Sequence, residues 1–336
     1  MSTANPSPSH LLFFGTSAFA VPALERLVAD PRFTVTAVVT QPDRPVGRHA
    51  EVLASPVKQA AEKLGLPVLQ PESLKTDEAY DLLKNHPADA YVVASYGQII
   101  PQRVLDLPTK GAINIHGSIL PAYRGASPIA AAIANGDKET GVTIMVMDAL
   151  MDHGPTLAFA TEPINPDDTT KTLEPRLAKL GANTLPDVLE KYVHGDLKAM
   201  EQDHAKATMV KLLKREDGKL DPTTQTAEQM ERLVRAYNPW PGTYIDLNGK
   251  RLKVLSASVA SSVIASSSDE RGNLTPHPPT IRDTRYAIRT AIDASPALIG
   301  ADGQALVLTR VQPEGKKEMT GEEFLRGNKN WSEPHS

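Results

Sequence analysis

The chain has 336 residues, 40% of them apolar and 23% charged, with a net charge of −4 and no cysteine. That length accommodates two domains, and the absence of cysteine excludes disulfides, thiolate zinc sites and cysteine nucleophiles. No apolar run reaches the roughly eighteen residues of a membrane span, so the sequence reads as cytoplasmic with no membrane partner.

Residues 1–9 are polar and rich in Pro and Ser, and read as a loose tail. The apolar stretch 11–24 does not read as a signal segment: no Lys or Arg precedes it, and it contains Gly15 and Pro22. Residues 11–14 predict a buried strand that stops at Gly15-Thr16-Ser17, a plain tight turn. Residues 21–28 predict a helix with Pro22 in its first turn, and 34–40 a β-branched strand. A long loop covers 41–55. A helix over 56–64 ends at Gly65, and a short strand follows over 67–69. A helix over 78–84 precedes a strand over 90–94. Then come a strand over 112–116, a helix over 128–134 stopped by Asn135-Gly136, and a strand over 143–147.

This alternation predicts an α/β fold, a Rossmann-like, mostly parallel sheet flanked by helices. The first turn reads G-T-S-A-F-A rather than G-x-G-x-x-G, and there is no P-loop, so neither NAD nor ATP is indicated. A strand over 156–164 and a helix over 169–192, with Pro175 as a kink or a reset of its start, close the first domain, placed at 10–194. The polar segment 195–220 suits a linker. The helical spacing of Met230, Leu233 and Val234 and short strands after Gly242 predict a small C-terminal β-barrel or sandwich domain over 221–330. Its Ser/Pro-rich stretch 260–285 reads as a tolerated surface insertion. Residues 1–204 carry a net charge of −7 and residues 205–336 a net of +3, which permits an anionic partner on the second part.

The segment A-I-N-I-H-G-S-I-L-P-A-Y-R-G at 112–125 organises the chain. Positions i and i+2 of a strand share a face, so Asn114 and His116 project together from a strand end, where open α/β sheets keep their sites. Asparagine supplies a neutral donor for an oxyanion, and histidine moves a proton near neutral pH. Asp152, in M-D-A-L-M-D-H-G-P, is the candidate third member. Alternatively Asn114 caps a turn, His116 is a satisfied strand-end histidine and Asp152 is a turn residue. The nine histidines lack ligand spacing, so no metal is expected.

The sequence resembles the methionyl-tRNA formyltransferases of the folate-dependent formyltransferase family from residue 11 to about residue 330. The resemblance is carried by F-F-G-T-S-A-F-A-V-P-A-L, V-V-T-Q-P-D-R-P-V-G-R at 38–48 and V-V-A-S-Y-G-Q-I-I-P at 92–101. I-N-I-H-G-S-I-L-P-A-Y-R-G-A-S-P-I at 113–129 and G-V-T-I-M-V-M-D-A-L-M-D-H-G-P at 141–155 continue it. R-A-Y-N-P-W-P-G-T at 235–243 points to the tRNA-specific branch. The resemblance implies formyl transfer from 10-formyltetrahydrofolate to the methionine α-amino group of initiator methionyl-tRNA, by a monomer and without a covalent adduct. It implies that Asn114 donates to the oxyanion, that His116 stabilises the intermediate or carries the proton, and that Asp152 holds His116. Tyr96, Gly97, Gln98, Ile99, Ser118, Leu120, Pro121, Met147 and Asp148 match positions around the folate.

For tRNA, Arg44 and Arg48 are kept in the loop at 41–55, but His49-Ala50-Glu51-Val52 stand where the family usually carries Lys. Arg124 is assigned either to a substrate phosphate or to an acidic neighbour. Lys211, Lys214, Arg251 and Lys253 are phosphate candidates, the last two sharing a strand face by parity. Trp240, between prolines, reads as a packing anchor. A sugar N-formyltransferase or a 10-formyltetrahydrofolate hydrolase would use the same Asn/His/Asp.

Overall fold

Burial on both faces explains the near-continuous apolar strands of the first half. The computed structural model describes residues 7–46, 51–247, 249–260, 289–328 and 331. Its main sheet contains β1 (Ser9–Gly15), β2 (Phe33–Val39), β3 (Val68–Leu69), β4 (Ala90–Ala94), β5 (Ala112–His116), β6 (Glu139–Val146) and β7 (Thr156–Pro163). The order across the sheet is β7-β6-β5-β4-β1-β2-β3. Strands β3, β2, β1, β4 and β5 pair in parallel, and β6 runs antiparallel to β5 and β7. In β1, Leu11–Phe14 have no exposed surface, and every residue of β4 and β5 is buried. Such strands read as near-continuous apolar runs, and β5 departs from that only at Asn114 and His116. Edge strand β7 does alternate, because one of its faces meets water.

Helix starts follow from capping. Ser55 accepts from the Lys58 amide (3.0 Å) ahead of the helix Pro56–Lys63, and Thr76 accepts from Ala79 (3.2 Å) ahead of Asp77–Lys84. Each cap satisfies an orphan amide and contributes about 1 kcal/mol. The helix Thr170–His194 runs unbroken with Pro175 and Pro186 inside it, so Pro175 does not reset its start. A Cβ on Gly181 of that helix would stand 2.7 Å from Ile115 Cγ2. Glycine there lets the helix approach β5 closely, directly behind the Asn114–His116 strand end.

Between β1 and β4 the sheet changes its direction of growth, which opens a crevice beyond the strands' carboxyl ends. The Thr16 hydroxyl and the Gln41 amide both donate to the Tyr96 carbonyl (2.7 and 2.8 Å), and Thr16 N donates to Ser95 O (3.1 Å). The turn after β1 thus laces two strand ends together.

The chain divides into two units by its internal contacts. One comprises Met1–Ile129, Lys138–Ile164 and Thr172–Lys211; the other Ala130–Asp137, Asn165–Lys171 and Leu212–Ser336. The second contains β8 (Thr243–Leu247), β9 (Lys250–Val259), β10 (Arg289–Ile292), β11 (Ser295–Ile299) and β12 (Ala305–Pro313), in the order β8-β9-β12-β11-β10, all antiparallel. Met319–Thr320 adds a sixth strand beside β12. The helix Ala227–Ala236 packs Met230 and Val234 onto Leu252, Leu306 and Leu308.

Three local expectations change. The segment read as an open loop contains a short antiparallel pair, Arg44–Val46 with Glu51–Leu53. The segment read as a linker carries a strand, Met209–Val210, paired in parallel with Arg124–Gly125. Trp240 is not a packing anchor: it is 52% exposed, with Arg215 over its ring at 5.9 Å. The buried tryptophan is Trp331, edge-on to Phe324, with its indole N–H on Thr290 O (2.8 Å). The stretch 260–285 lies outside the described residues beyond Ala260. Among the described residues no helix is long and apolar enough to cross a membrane.

Candidate active site

Asn114 and His116 occupy the last turn of the β5 pleat, 9% and 6% exposed, opposite Met145 and Thr143 of β6. The Asn114 amide donates to Asp152 Oδ1 (3.4 Å), and His116 Nδ1 stands 3.5 Å from the same oxygen. Asp152 Oδ2 accepts from the Gly125 amide (2.7 Å). The three residues proposed from sequence therefore meet at one carboxylate.

The hydrogen-bond partners fix the histidine's tautomer. His116 Nε2 lies 2.9 Å from the Tyr123 carbonyl, which only accepts, so Nε2 carries the hydrogen. Nδ1, the other ring nitrogen, faces Asp152. Asn114 has a second amide hydrogen besides the one aimed at the carboxylate, and that hydrogen is its available donor.

The loops around this group are held tightly. Asp152 adopts a positive φ of 49°, a conformation that L-residues with side chains rarely hold without support. Gly125 has φ 113°, and a Cβ there would run into the Val210 carbonyl, so only glycine brings this amide to Asp152. The Thr143 hydroxyl donates to Ser118 O (2.7 Å) and accepts from Leu120 N (3.0 Å), and the Ser118 hydroxyl donates to Ala122 O (2.6 Å). Together they shape the 118–125 loop over the strand end.

Some residues assigned from sequence turn elsewhere. Arg124 is not an exposed phosphate contact: it is 6% exposed, and its guanidinium donates to Gln202 Oε1 (3.2 and 2.7 Å) and His204 Nδ1 (2.8 Å). Tyr96 buries its ring in the core against Phe14, and its hydroxyl has no partner among the described residues; burial pushes this phenol up to about 12. Ser118 is fully buried, with its hydroxyl committed to the loop. Asp148 binds the Leu150 amide (2.9 Å) and His153 Nδ1 (2.7 Å). Gly97 and Ile99 are exposed, Gln98, Pro121 and Met147 half-buried, and Leu120 buried.

Arg44 is exposed and paired with Glu72 (2.7 Å), while Arg48 lies outside the described residues. Lys211 and Lys214 are exposed. Arg251 and Lys253 share the solvent face of β9, alternating with buried Leu252 and Val254, and Arg251 stacks on Tyr244 at 4.3 Å. Among the described residues no cluster of three or more His, Asp or Glu could hold a metal.

No local signal points to Gln202, to the Tyr123 carbonyl or to the Gly125 amide. They reach the site across 7 to 50 positions of chain, through backbone groups or a residue in the presumed linker.

Residues 10–189 match the family described as formyl transferase, and residues 212–329 match its C-terminal domain. A methionyl-tRNA formyltransferase of Roseiflexus sp. (strain RS-1) is 46% identical over 320 residues, covering 95% of this chain and 93% of that protein. One from Myxococcus xanthus (strain DK1622) is 41% identical over 327 residues, 96% of each. The solved N-formyltransferase from Helicobacter canadensis, in complex with folinic acid and dTDP-3-aminofucose, superposes with a TM-score of 0.61 at 16% identity, over 90% of this chain and 98% of that one. At that identity the likeness is one of fold.

Proposed function

Because this chain belongs to the formyl transferase family, we propose that it transfers the formyl group of 10-formyltetrahydrofolate to the α-amino group of initiator methionyl-tRNA. The observation that carries this reading is the convergence of Asn114, His116 and Asp152 on one carboxylate oxygen, in a chain similar along nearly its whole length to methionyl-tRNA formyltransferases.

The amine nitrogen attacks the formyl carbon, and the carbonyl electrons move to oxygen. Asn114 donates its free amide hydrogen to that oxyanion, an interaction typically worth about 3 kcal/mol in such sites. The attacking nitrogen loses a proton and the departing folate nitrogen gains one. His116 Nδ1 is placed to carry it, because Nε2–H is held by Tyr123. The Asp152 carboxylate stabilises the imidazolium formed on the way. Collapse of the intermediate breaks the bond from the formyl carbon to the folate nitrogen, leaving formylmethionyl-tRNA and tetrahydrofolate. No bond to the enzyme forms.

In this reading the first unit binds folate and performs the transfer, and the antiparallel second unit carries tRNA on Arg251 and Lys253, with Lys211, Lys214, Arg44 and Arg48 as further contacts. The enzyme works as a cytoplasmic monomer. The test is formyl transfer to methionyl initiator tRNA, with methionyl elongator tRNA, free methionine and amino-sugar nucleotides as parallel acceptors. Initiator-selective product supports the proposal. Formate release without an acceptor would replace it with a hydrolase, and transfer to the amino sugar alone with a sugar N-formyltransferase.

A further inference from the structure

We propose that Gln202 is a positioning residue for this reaction, clamping the Asp152 backbone so that its carboxylate stays on Asn114 and His116; the kinetic part of the argument rests on the formyl-transfer reading above. Gln202 is buried, and its side-chain amide is fully used. Nε2 donates to the carbonyls of Asp152 (2.9 Å) and Gly154 (2.7 Å), and Oε1 accepts two bonds from Arg124 (3.2 and 2.7 Å). The orientation has no alternative, because carbonyls only accept and a guanidinium only donates.

The clamp joins three stretches. Met200 exchanges two backbone hydrogen bonds with Thr156 (2.8 Å each), which fixes the chain just before Gln202 to the start of β7. Arg124, on the far side of Gln202, precedes Gly125, whose amide holds Asp152 Oδ2 (2.7 Å). Asp152 is thus gripped at its carbonyl by Gln202 and at its carboxylate by Gly125. Its positive φ of 49° is a conformation that relaxes when such grips are released. The segment 200–210 also supplies Thr208, whose hydroxyl accepts from Tyr123 N (2.8 Å) and whose carbonyl accepts from Arg124 N (2.8 Å), so it buttresses the residue that fixes the His116 tautomer. The stretch that composition marks as a linker is a wall of the site.

Gln202→Glu tests this with little change of shape. The carboxylate keeps Arg124 but loses both donors and turns an acceptor toward two carbonyls. Amide hydrogen exchange at Gly125 needs no substrate and should accelerate about tenfold or more. In transfer assays kcat should fall about tenfold to a hundredfold with KM for donor and acceptor within about twofold. In an Asp152→Asn background the same change should cost less than about twofold, because the residue acts through Asp152. Unchanged Gly125 exchange, a kcat within about threefold of the parent, or losses that multiply in the double variant would each overturn the proposal. If Q202E does not fold, Gln202→Asn, with the same amide on a shorter stem, takes its place under the same criteria. A parent protein that never formylates methionyl-tRNA would defeat the functional reading instead, and the exchange measurement would still decide the clamp.

Discussion

Replacing Asp152 by Asn removes one charge and almost no volume. Gly125 N–H requires an oxygen at the Oδ2 position, so the new amide nitrogen must take the place of Oδ1. There it faces Asn114 Nδ2 at 3.4 Å, donor against donor, and His116 Nδ1 at 3.5 Å. It donates to the Nδ1 lone pair and blocks the one ring position free to accept a proton. The imidazolium also loses its counter-charge. At 3.5 Å and an effective dielectric near 20, that attraction amounts to about 4–5 kcal/mol. The carboxylate is 15% exposed, so water screens part of it and about 3–4 kcal/mol remains as the expected loss in the transition state. At about 1.4 kcal/mol per decade this is roughly a 100- to 1,000-fold drop in kcat. The assay is single-turnover formylation of methionyl initiator tRNA at saturating donor, beside the melting temperature and the donor affinity. Folate binding should be nearly unchanged, and thermal stability should fall by about 1 kcal/mol as a charge-assisted bond to Gly125 becomes neutral. A folded D152N enzyme within about tenfold of the parent rate would refute the assignment of His116 and Asp152 as a proton-handling pair.

Three further outcomes follow from the packing. Gly181→Ala places a methyl 2.7 Å from Ile115 Cγ2; overpacking outweighs the better helix propensity, for a net loss of about 1–2 kcal/mol and a lower kcat as β5 shifts, both measurable by denaturant melts and steady-state kinetics. Tyr96→Phe removes a buried hydroxyl without a partner among the described residues, so stability should hold or rise by about 1 kcal/mol with donor KM unchanged; a weakened donor affinity would mean that the hydroxyl meets the folate after all. Asp30 is held below the ordinary carboxylate range, first by its side-chain bond to Arg32 at 2.8 Å. Its contribution is therefore present above the ordinary carboxylate pKa of about 4 and is lost as pH falls through its lowered native pKa, so Asp30→Asn should lower the melting temperature at neutral pH and leave acid unfolding less steep below about pH 4. An unchanged pH profile of stability would count against that pairing.

The sequence by itself determined the elements and the strand-end pair. Near-continuous apolar runs at 11–14 and 90–94, and Gly65 behind a helix, are local signals, each read within a few residues of where it acts. Parity alone put Asn114 and His116 on one face, and Arg251 with Lys253 on another. For Asp152 the sequence offered two readings, and resemblance chose between them, since nothing local separates a catalytic carboxylate from a turn residue. The tertiary structure decided which polar groups face one another. Arg124 ends its run beside Tyr and Gly, as a surface arginine would, yet it points inward because Gln202, 78 positions later, offers its amide oxygen. Trp240 is exposed and Trp331 buried because the C-terminal sheet closes over Thr290 and Phe324 rather than over the prolines. Periodicity is a property of neighbouring residues. The partner of a buried donor is set only once the sheet order is fixed and distant segments are brought within hydrogen-bond reach, and that is why the strand-end histidine was legible and the residues that hold the Asp152 carboxylate were not.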